Sequence, residues 1–327
     1  MSSIWGINEP KIKTVDCTIR DGGLVNDHYF SVEFVKAVYE ANVAAGVDYM
    51  EIGYKNSDRI FSRESNGVWK YCDEQDMLAV VGDNSDAATK LACMIDAGKS
   101  DWKTSVLPKS QSPLSLVRVA FYDYQLDEAI EMIEDAHNKG YEVSANLMAV
   151  TVVEEKKLDS ILERICKTPA EVIVIVDSFG SLTPLQTEYL TKKYVSYAEA
   201  VGKKVGIHAH NNMQLAFANT VIAAQFGATR LDASLGGLGR GAGNCPSELL
   251  LGVVNPDNYQ LRPLFECLEK EFVPLQQEIE WGPYHEYMLT AQNNVHPRAA
   301  IAHRKSAETR DKYTLLFDKL VEEAKQN

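Results

Sequence analysis

Short β-branched runs alternate with amphipathic stretches along most of the chain. The apolar runs predict eight strands: Lys13–Ile19, Tyr49–Tyr54, Leu78–Gly82, Leu116–Tyr122, Glu142–Met148, Val172–Asp177, Lys204–His210 and Thr229–Ser234. They recur every ~30 residues, the size of a βα unit. The intervening stretches carry helical periodicity. Leu158, Ile161, Leu162 and Ile165 share one face, as do Leu126, Ile130 and Ile133, and Val32, Val35, Val38 and Tyr39. Thr183-Pro184 reads as an N-cap followed by proline at the first helical position. Gly46, Gly140, Gly202 and Gly227 each stand just before a strand, where glycine ends a helix in the left-handed conformation.

Eight such units predict an α/β chain closed into a (β/α)₈ barrel. A doubly wound sheet also alternates, but no GxGxxG follows the first strand. The barrel should be complete near Val254, giving a catalytic domain over 1–254. Residues 255–327 hold Pro263, Pro274, Pro283 and Pro297 and end in a charged helix through Leu315, Leu316, Leu320 and Val321. This stretch reads as a helical C-terminal extension that covers the barrel mouth or forms a subunit interface.

With 327 residues and 45% hydrophobic content the chain can bury a large core. Its formal charge of −13 argues against nucleic acid or an anionic membrane as the main partner. A local pocket of opposite sign remains open to an anionic substrate. The six cysteines form no CxxC pair, which suits reduced, buried thiols. No apolar run reaches the ~20 residues of a membrane span. The N-terminal residues lack the apolar core of a secretory signal. These features predict a soluble, cytoplasmic protein.

In a barrel, chemistry gathers at the C-terminal ends of the strands. Strand seven ends in His208-Ala209-His210-Asn211. Residues i and i+2 of a strand share a face, so the two imidazoles can share one metal ion. Strand one carries Asp16, Arg20 and Asp21 before Gly22-Gly23, three charges on a segment that should be buried. Unpaired buried charge costs several kcal/mol, so a cation beside Asp21 and a developing oxyanion beside Arg20 would relieve it. After strand eight, Gly236 to Gly243 holds five glycines and Arg240, a loop whose N–H groups can cradle an anion. Asp21 meets His208 and His210 only if strands one and eight close the barrel. Together they form the His₂-carboxylate set of a divalent transition metal.

The segments Asp16-x-Thr18-x-Arg20-Asp21-Gly22, His208-x-His210-Asn211 and Gly243-Asn244 resemble the signature of the DRE-TIM metallolyase (HMGL-like) superfamily, most of all its 4-hydroxy-2-oxovalerate aldolase branch. The resemblance spans about residues 13–254. It implies Asp21, His208 and His210 as ligands of Mn²⁺ or Mg²⁺, with Asn244 as a further or water-mediated one. It implies Arg20 as the catalytic arginine of an enolate. Where the aldolases carry a histidine base and the CoA-dependent branches usually a glutamine, this chain has Leu24. His28 on the same loop is a candidate replacement. Tyr284 and Tyr287 are candidates for the tyrosine that the aldolases take from their C-terminal region. Glu51, Lys55, Arg118, Tyr122, Asn146 and Arg240 are candidate substrate contacts at the mouth, with Asp177 a further polar strand end.

The implied reaction is cleavage or formation of a C–C bond through a metal-bound 2-oxoacid enolate, giving pyruvate and an aldehyde. Two imidazoles favour Mn²⁺ over Mg²⁺. A homo-oligomer and an aldehyde dehydrogenase partner are both compatible with the resemblance. The rival enzyme reading is an acyl-CoA-dependent Claisen condensation, against which the missing glutamine and short C-terminal region speak. An amidohydrolase is excluded because its HxH belongs on strand one. A non-catalytic binding or scaffold subunit is the rival from outside enzymology, kept open by Leu24.

Overall fold

A computed structural model describes residue 7, residues 11–82, residue 84 and residues 87–326. Eight parallel strands close into a barrel in chain order. They are β1 (Lys13–Asp16), β2 (Tyr49–Tyr54), β3 (Lys90–Asp96), β4 (Leu114–Phe121), β5 (Glu142–Leu147), β6 (Val172–Asp177), β7 (Lys204–Ala209) and β8 (Ala228–Ala233). Closure is direct: Val15 of β1 lies opposite Asp232 of β8, and Asp16 opposite Ala233.

One predicted strand is corrected. Leu78–Gly82 lies in a helix, Glu74–Val81, and the third strand is Lys90–Asp96. The apolar run is short enough to suit either element. Met77, Val80 and Val81 are buried at helical spacing, Glu74 and Asp76 stand in the first turn, and Gly82 ends the helix at φ +59°. Strand one is also shorter than predicted, because Thr18–Gly22 forms a helical turn. The turn is stitched to the barrel seam. The Cys17 N–H donates to the Ala233 carbonyl at 2.7 Å, and the Leu235 N–H donates to Thr18 Oγ1 at 2.8 Å.

The strands bury both faces, as parallel strands do. Val15, Cys17, Tyr49, Ala92 and Leu116 form one interior cluster, and Val172, Val174 and Val176 line the β6 side. The alternate residues pack outward against helices. Leu158, Ile161, Leu162 and Ile165 are buried on the predicted face of helix Glu155–Ile165. Each such side chain stabilises the fold by about 1.5–3 kcal/mol. Thr183 caps helix Pro184–Glu199 in a reciprocal capping box with Gln186. The four predicted helix-ending glycines all have positive φ.

The C-terminal region contains helices Arg262–Cys267, His285–Gln292, Arg298–Lys305 and Tyr313–Gln326. Its first part joins the barrel core through Leu264, Cys267 and Phe272. Its later part packs Tyr287, Ala300, Leu316 and Leu320 against Ala242 of the glycine-rich loop. The six cysteines are unpaired. Among the described residues, no helix is long and apolar enough to cross a membrane.

Candidate metal centre

The site straddles the seam between β1 and β8. Asp21, on the helical turn after β1, meets His208 within β7 and His210 just after it; their ligand atoms all lie within 4.8 Å of one another. The two imidazoles stand edge to face with ring centroids 4.9 Å apart. Asn244, at the end of the glycine-rich loop, bridges back to His210 and donates from Nδ2 to Asp21 Oδ2 at 2.9 Å. All four side chains are buried.

Hydrogen bonds behind the imidazoles fix their tautomers. His208 Nδ1 donates to Asp232 Oδ2 at 2.9 Å, and His210 Nδ1 donates to the Asp177 carbonyl at 3.0 Å. Both rings therefore present an unprotonated Nε2 inward. His208 Nε2, His210 Nε2 and Asn244 Oδ1 are buried and have no hydrogen-bond partner. His210 Nε2 faces Asp21 Oδ2 at 3.5 Å, acceptor against acceptor. Buried acceptors without donors are costly unless a cation joins them. The donor set of two imidazole nitrogens, a carboxylate and an amide oxygen fits a divalent ion.

Electrostatics agree. Burial alone would raise the Asp21 carboxyl, yet the Arg20 guanidinium beside it holds it well below the usual carboxylate range. Burial keeps His210 below its ordinary value, which preserves the lone pair. The backbone closes the pocket. A Cβ on Gly239 would sit 2.5 Å from Asp21 Oδ2 and 2.4 Å from Asn244 Nδ2. Only glycine allows that approach. Gly243, at φ +84°, would place a Cβ 1.9 Å from the Gly237 carbonyl oxygen.

A charged network runs beneath the site. Arg20 donates from Nη1 to Asp21 Oδ1 at 2.6 Å and from Nε to Glu51 Oε2 at 2.7 Å. Arg118 donates to Glu51 at 2.9 Å and to Asp232 at 2.5 Å. Asp232 then holds His208, so the network leaves Asp21 and returns to the other side of the centre. Burial would raise Asp232, but Arg118 and His208 pull it down to about 2. A second grouping of Cys17, His208 and Asp232 shares an imidazole with the centre. There Arg118 Nη1 already donates to Cys17 Sγ at 3.4 Å and Nη2 to Asp232, so no open donor set remains.

The other predicted residues divide. Glu51 and Arg118 belong to the network. Asn146 is buried, its amide oxygen takes the Ser144 hydroxyl at 2.7 Å, and its Nδ2 is unpartnered. The Arg240 N–H donates to Asp21 Oδ2 at 3.2 Å, while its guanidinium donates to the Ser178 carbonyl at 2.9 Å. Tyr122 stacks on Tyr124, 5.6 Å between centroids, just past the end of β4. Tyr287 lines a cavity of about 330 Å³ with Leu24, Arg240 and Gly241. Two expectations are corrected. Lys55 is held away from the centre by the Cys72 carbonyl and Glu74, both at 2.9 Å, because it follows inward-facing Tyr54 and lies on the opposite face. Tyr284 is capped by the Arg304 guanidinium, 3.5 Å from its ring centroid, which gives it a packing role. Asp16 also turns outward, accepting the Thr18 hydroxyl.

His28 is buried beside Tyr54, with ring centroids 5.4 Å apart, and its Nδ1 has no partner. Gly23 makes room for it: a Cβ there would fall 2.0 Å from Nδ1. Burial, with Lys70 and Arg20 nearby, pushes the ring down to about 3. The unfolded ring takes a proton near pH 6.5, so below that pH the unfolded state binds more protons and stability falls. By pH 4 this group alone should cost on the order of 3 kcal/mol. Urea unfolding at pH 7 and pH 4 checks it. The loss on acidification should be smaller in His28→Leu than in wild type, and equal losses would exclude His28 as a contributor.

Sequence reading missed Asp232, although its signal was present. Arg230, Asp232 and Ser234 alternate with Leu231 and Ala233, which puts a carboxylate on the inner face of β8. It also missed Lys70, buried over the rings of Phe61 and Tyr54 and 3.5 Å from His28 Nε2.

Comparison with known proteins gives a consistent result. A family model described as HMGL-like matches residues 11–258. A 4-hydroxy-2-oxovalerate aldolase of Pelotomaculum thermopropionicum is 32% identical over 255 residues, covering 77% of this chain and 72% of its own. One from Geobacillus thermodenitrificans is 28% identical, covering 83% and 80%. Among solved structures, the N-terminal domain of a Bacteroides vulgatus protein provisionally assigned as an aldolase superposes with a TM-score of 0.75. It is 28% identical and covers 91% of this chain and 98% of that one.

Proposed function

Because this chain belongs to the HMGL-like family, we propose that it is a divalent-metal-dependent carbon–carbon lyase acting through the enolate of a 2-oxoacid. The curated relatives named 4-hydroxy-2-oxovalerate aldolase support a 4-hydroxy-2-oxoacid as substrate, cleaved to pyruvate and an aldehyde. The observation that carries this reading is the trio of buried acceptors without a donor (His208 Nε2, His210 Nε2 and Asn244 Oδ1) gathered about the Asp21 carboxylate.

An ion held by Asp21, His208, His210 and Asn244 would supply Lewis acidity to the substrate. Two imidazoles favour Mn²⁺ over Mg²⁺. The remaining work falls to the protein. Arg20, pinned between Asp21 and Glu51, stabilises negative charge as it develops on the enolate oxygen. Asp232 and the Asp177 carbonyl keep both imidazoles in the ligating tautomer. The free Nδ2 of Asn146 is available to a substrate oxygen. His28, neutral and beside Leu24's loop, is our candidate for proton transfer. The network sets three carboxylates (Asp21, Glu51, Asp232) against two guanidiniums (Arg20, Arg118). A divalent ion turns that net −1 into +1, which suits a monoanionic 2-oxoacid.

The released aldehyde is reactive, so an aldehyde dehydrogenase is a fitting partner. Six unpaired thiols suit the reducing cytoplasm. The test is pyruvate release from 4-hydroxy-2-oxopentanoate, coupled to lactate dehydrogenase. Mn²⁺-supplemented protein should turn over, exhaustive chelation should abolish activity, and borohydride with substrate should trap nothing. Turnover that survives chelation overturns the reading, as does metal binding without turnover.

A further inference from the structure

The C-terminal region brings a further imidazole against the loop after β6, two residues beyond the Asp177 carbonyl that orients His210. His296 sits between helices His285–Gln292 and Arg298–Lys305. Three contacts place its ring. The preceding turn is tied down by Asn294, at φ +52°, whose Nδ2 donates to the Thr151 carbonyl at 3.1 Å in the loop after β5. The ring stands edge-on to Phe179 in the loop after β6, 5.4 Å between centroids. The Arg298 N–H donates to Nδ1 at 3.1 Å.

That last bond decides the chemistry. With Nδ1 accepting, the neutral ring carries its proton on Nε2. Nε2 is buried and has no partner. The Arg240 guanidinium is the charge that acts most strongly on this ring, followed by Arg298. Arg240 Nε is likewise a buried donor without a partner. His296 meets the loop after β6 through Phe179 and Arg240 meets it through the Ser178 carbonyl, so two buried donors from separate segments converge on one loop and have no protein acceptor. Burial first, then the Arg240 and Arg298 guanidiniums, push His296 down to about 3, so the ring remains a neutral donor at physiological pH.

We propose that His296 is a catalytic residue that donates a hydrogen bond from Nε2 to the C4 oxygen of the substrate. The proposal rests on the aldolase reading above. In that reading the carboxylate and 2-oxo oxygens would be taken by a bound ion and Arg20. In cleavage the hydroxyl proton passes from the C4 oxygen to the proton-transfer group (His28 in the reading above). The oxygen's electron pair forms the aldehyde carbonyl, and the C3–C4 bonding pair passes to the enolate. In the reverse direction the aldehyde oxygen gains charge as the bond forms. A fixed neutral donor there acts as one member of an oxyanion hole. His296 does not take the hydroxyl proton, because its lone pair is held by the Arg298 N–H.

Two reactions separate the roles. Exchange of pyruvate methyl protons in D₂O needs the ion and Arg20 but no C4 oxygen. Aldol cleavage needs both. His296→Ala should lower the kcat of cleavage by about 100-fold while leaving Mn²⁺ affinity and proton exchange at wild-type levels. His296→Gln, whose amide restores a donor, should recover most of the loss. The proposal is overturned if the alanine variant cleaves normally, if exchange and cleavage fall together, if Mn²⁺ affinity is lost, or if glutamine rescues nothing. A wild-type protein that neither exchanges nor cleaves overturns the aldolase reading itself, and the role of His296 with it.

Discussion

Asp21→Asn should abolish high-affinity Mn²⁺ binding and reduce cleavage by more than the ~10–100-fold expected for an outer partner of a metal ligand. The carboxylate is the one anionic ligand of the proposed set and the acceptor for Arg20, the Arg240 N–H and Asn244. Its loss removes the charge that balances the ion and leaves Arg20 with Glu51 alone. Calorimetric titration with Mn²⁺ and the coupled pyruvate assay read the two effects. Asp232→Asn is the matched control. It keeps an acceptor for His208 but removes the charge shared with Arg118, so its losses should stay within ~10–100-fold. If Asp21→Asn binds Mn²⁺ like wild type, the centre lies elsewhere.

Arg20→Ala should be the second large loss, and of a different kind. The guanidinium is almost fully buried between two carboxylates, and deleting it leaves Asp21 and part of Glu51 unpaired. Breaking such a pair costs about 3–5 kcal/mol. Removing a donor aimed at developing charge costs about 10²–10³ in kcat. Arg20→Lys should rescue little, because an ammonium lacks the fork that reaches Asp21 and Glu51 together. Urea unfolding reads the stability term. Pyruvate proton exchange reads the chemical one, and here it should fall in parallel with cleavage, unlike the pattern expected of His296. An Arg20→Ala protein with unchanged exchange would remove the arginine from the enolate step.

Much of this site could be read from the chain because it violates the rules for strands. Charges at Arg20 and Asp21 and a repeated imidazole at His208 and His210 are anomalous where Val, Ile and Leu belong, and anomaly is visible without coordinates. Asp232 was harder, since one acidic residue in an alternating strand looks like an ordinary exposed position until closure turns that face inward. Leu78–Gly82 misled because five apolar residues fit a strand and a helical face equally well. Some features leave no mark in side-chain pattern. The Asp177 carbonyl that orients His210 is backbone, and Gly239 resembles its neighbours until Asp21 stands against it. His296 lies where no periodicity announces an element, and its meaning depends on which atom the Arg298 N–H contacts.

The seam location of the centre also governs when it can exist during synthesis. Asp21 emerges from the ribosome early, whereas His208, His210, Asn244 and the Gly239 backbone that closes over it follow some two hundred residues later. At typical elongation rates of ~5–20 residues per second, the nascent acidic side chain waits ten seconds or more for its counterparts. A truncated product ending before the eighth strand lacks Asn244 and the strand that closes Asp21 onto the two imidazoles, so it should not hold an ion as the complete barrel does. Full ligation therefore waits on closure of the barrel.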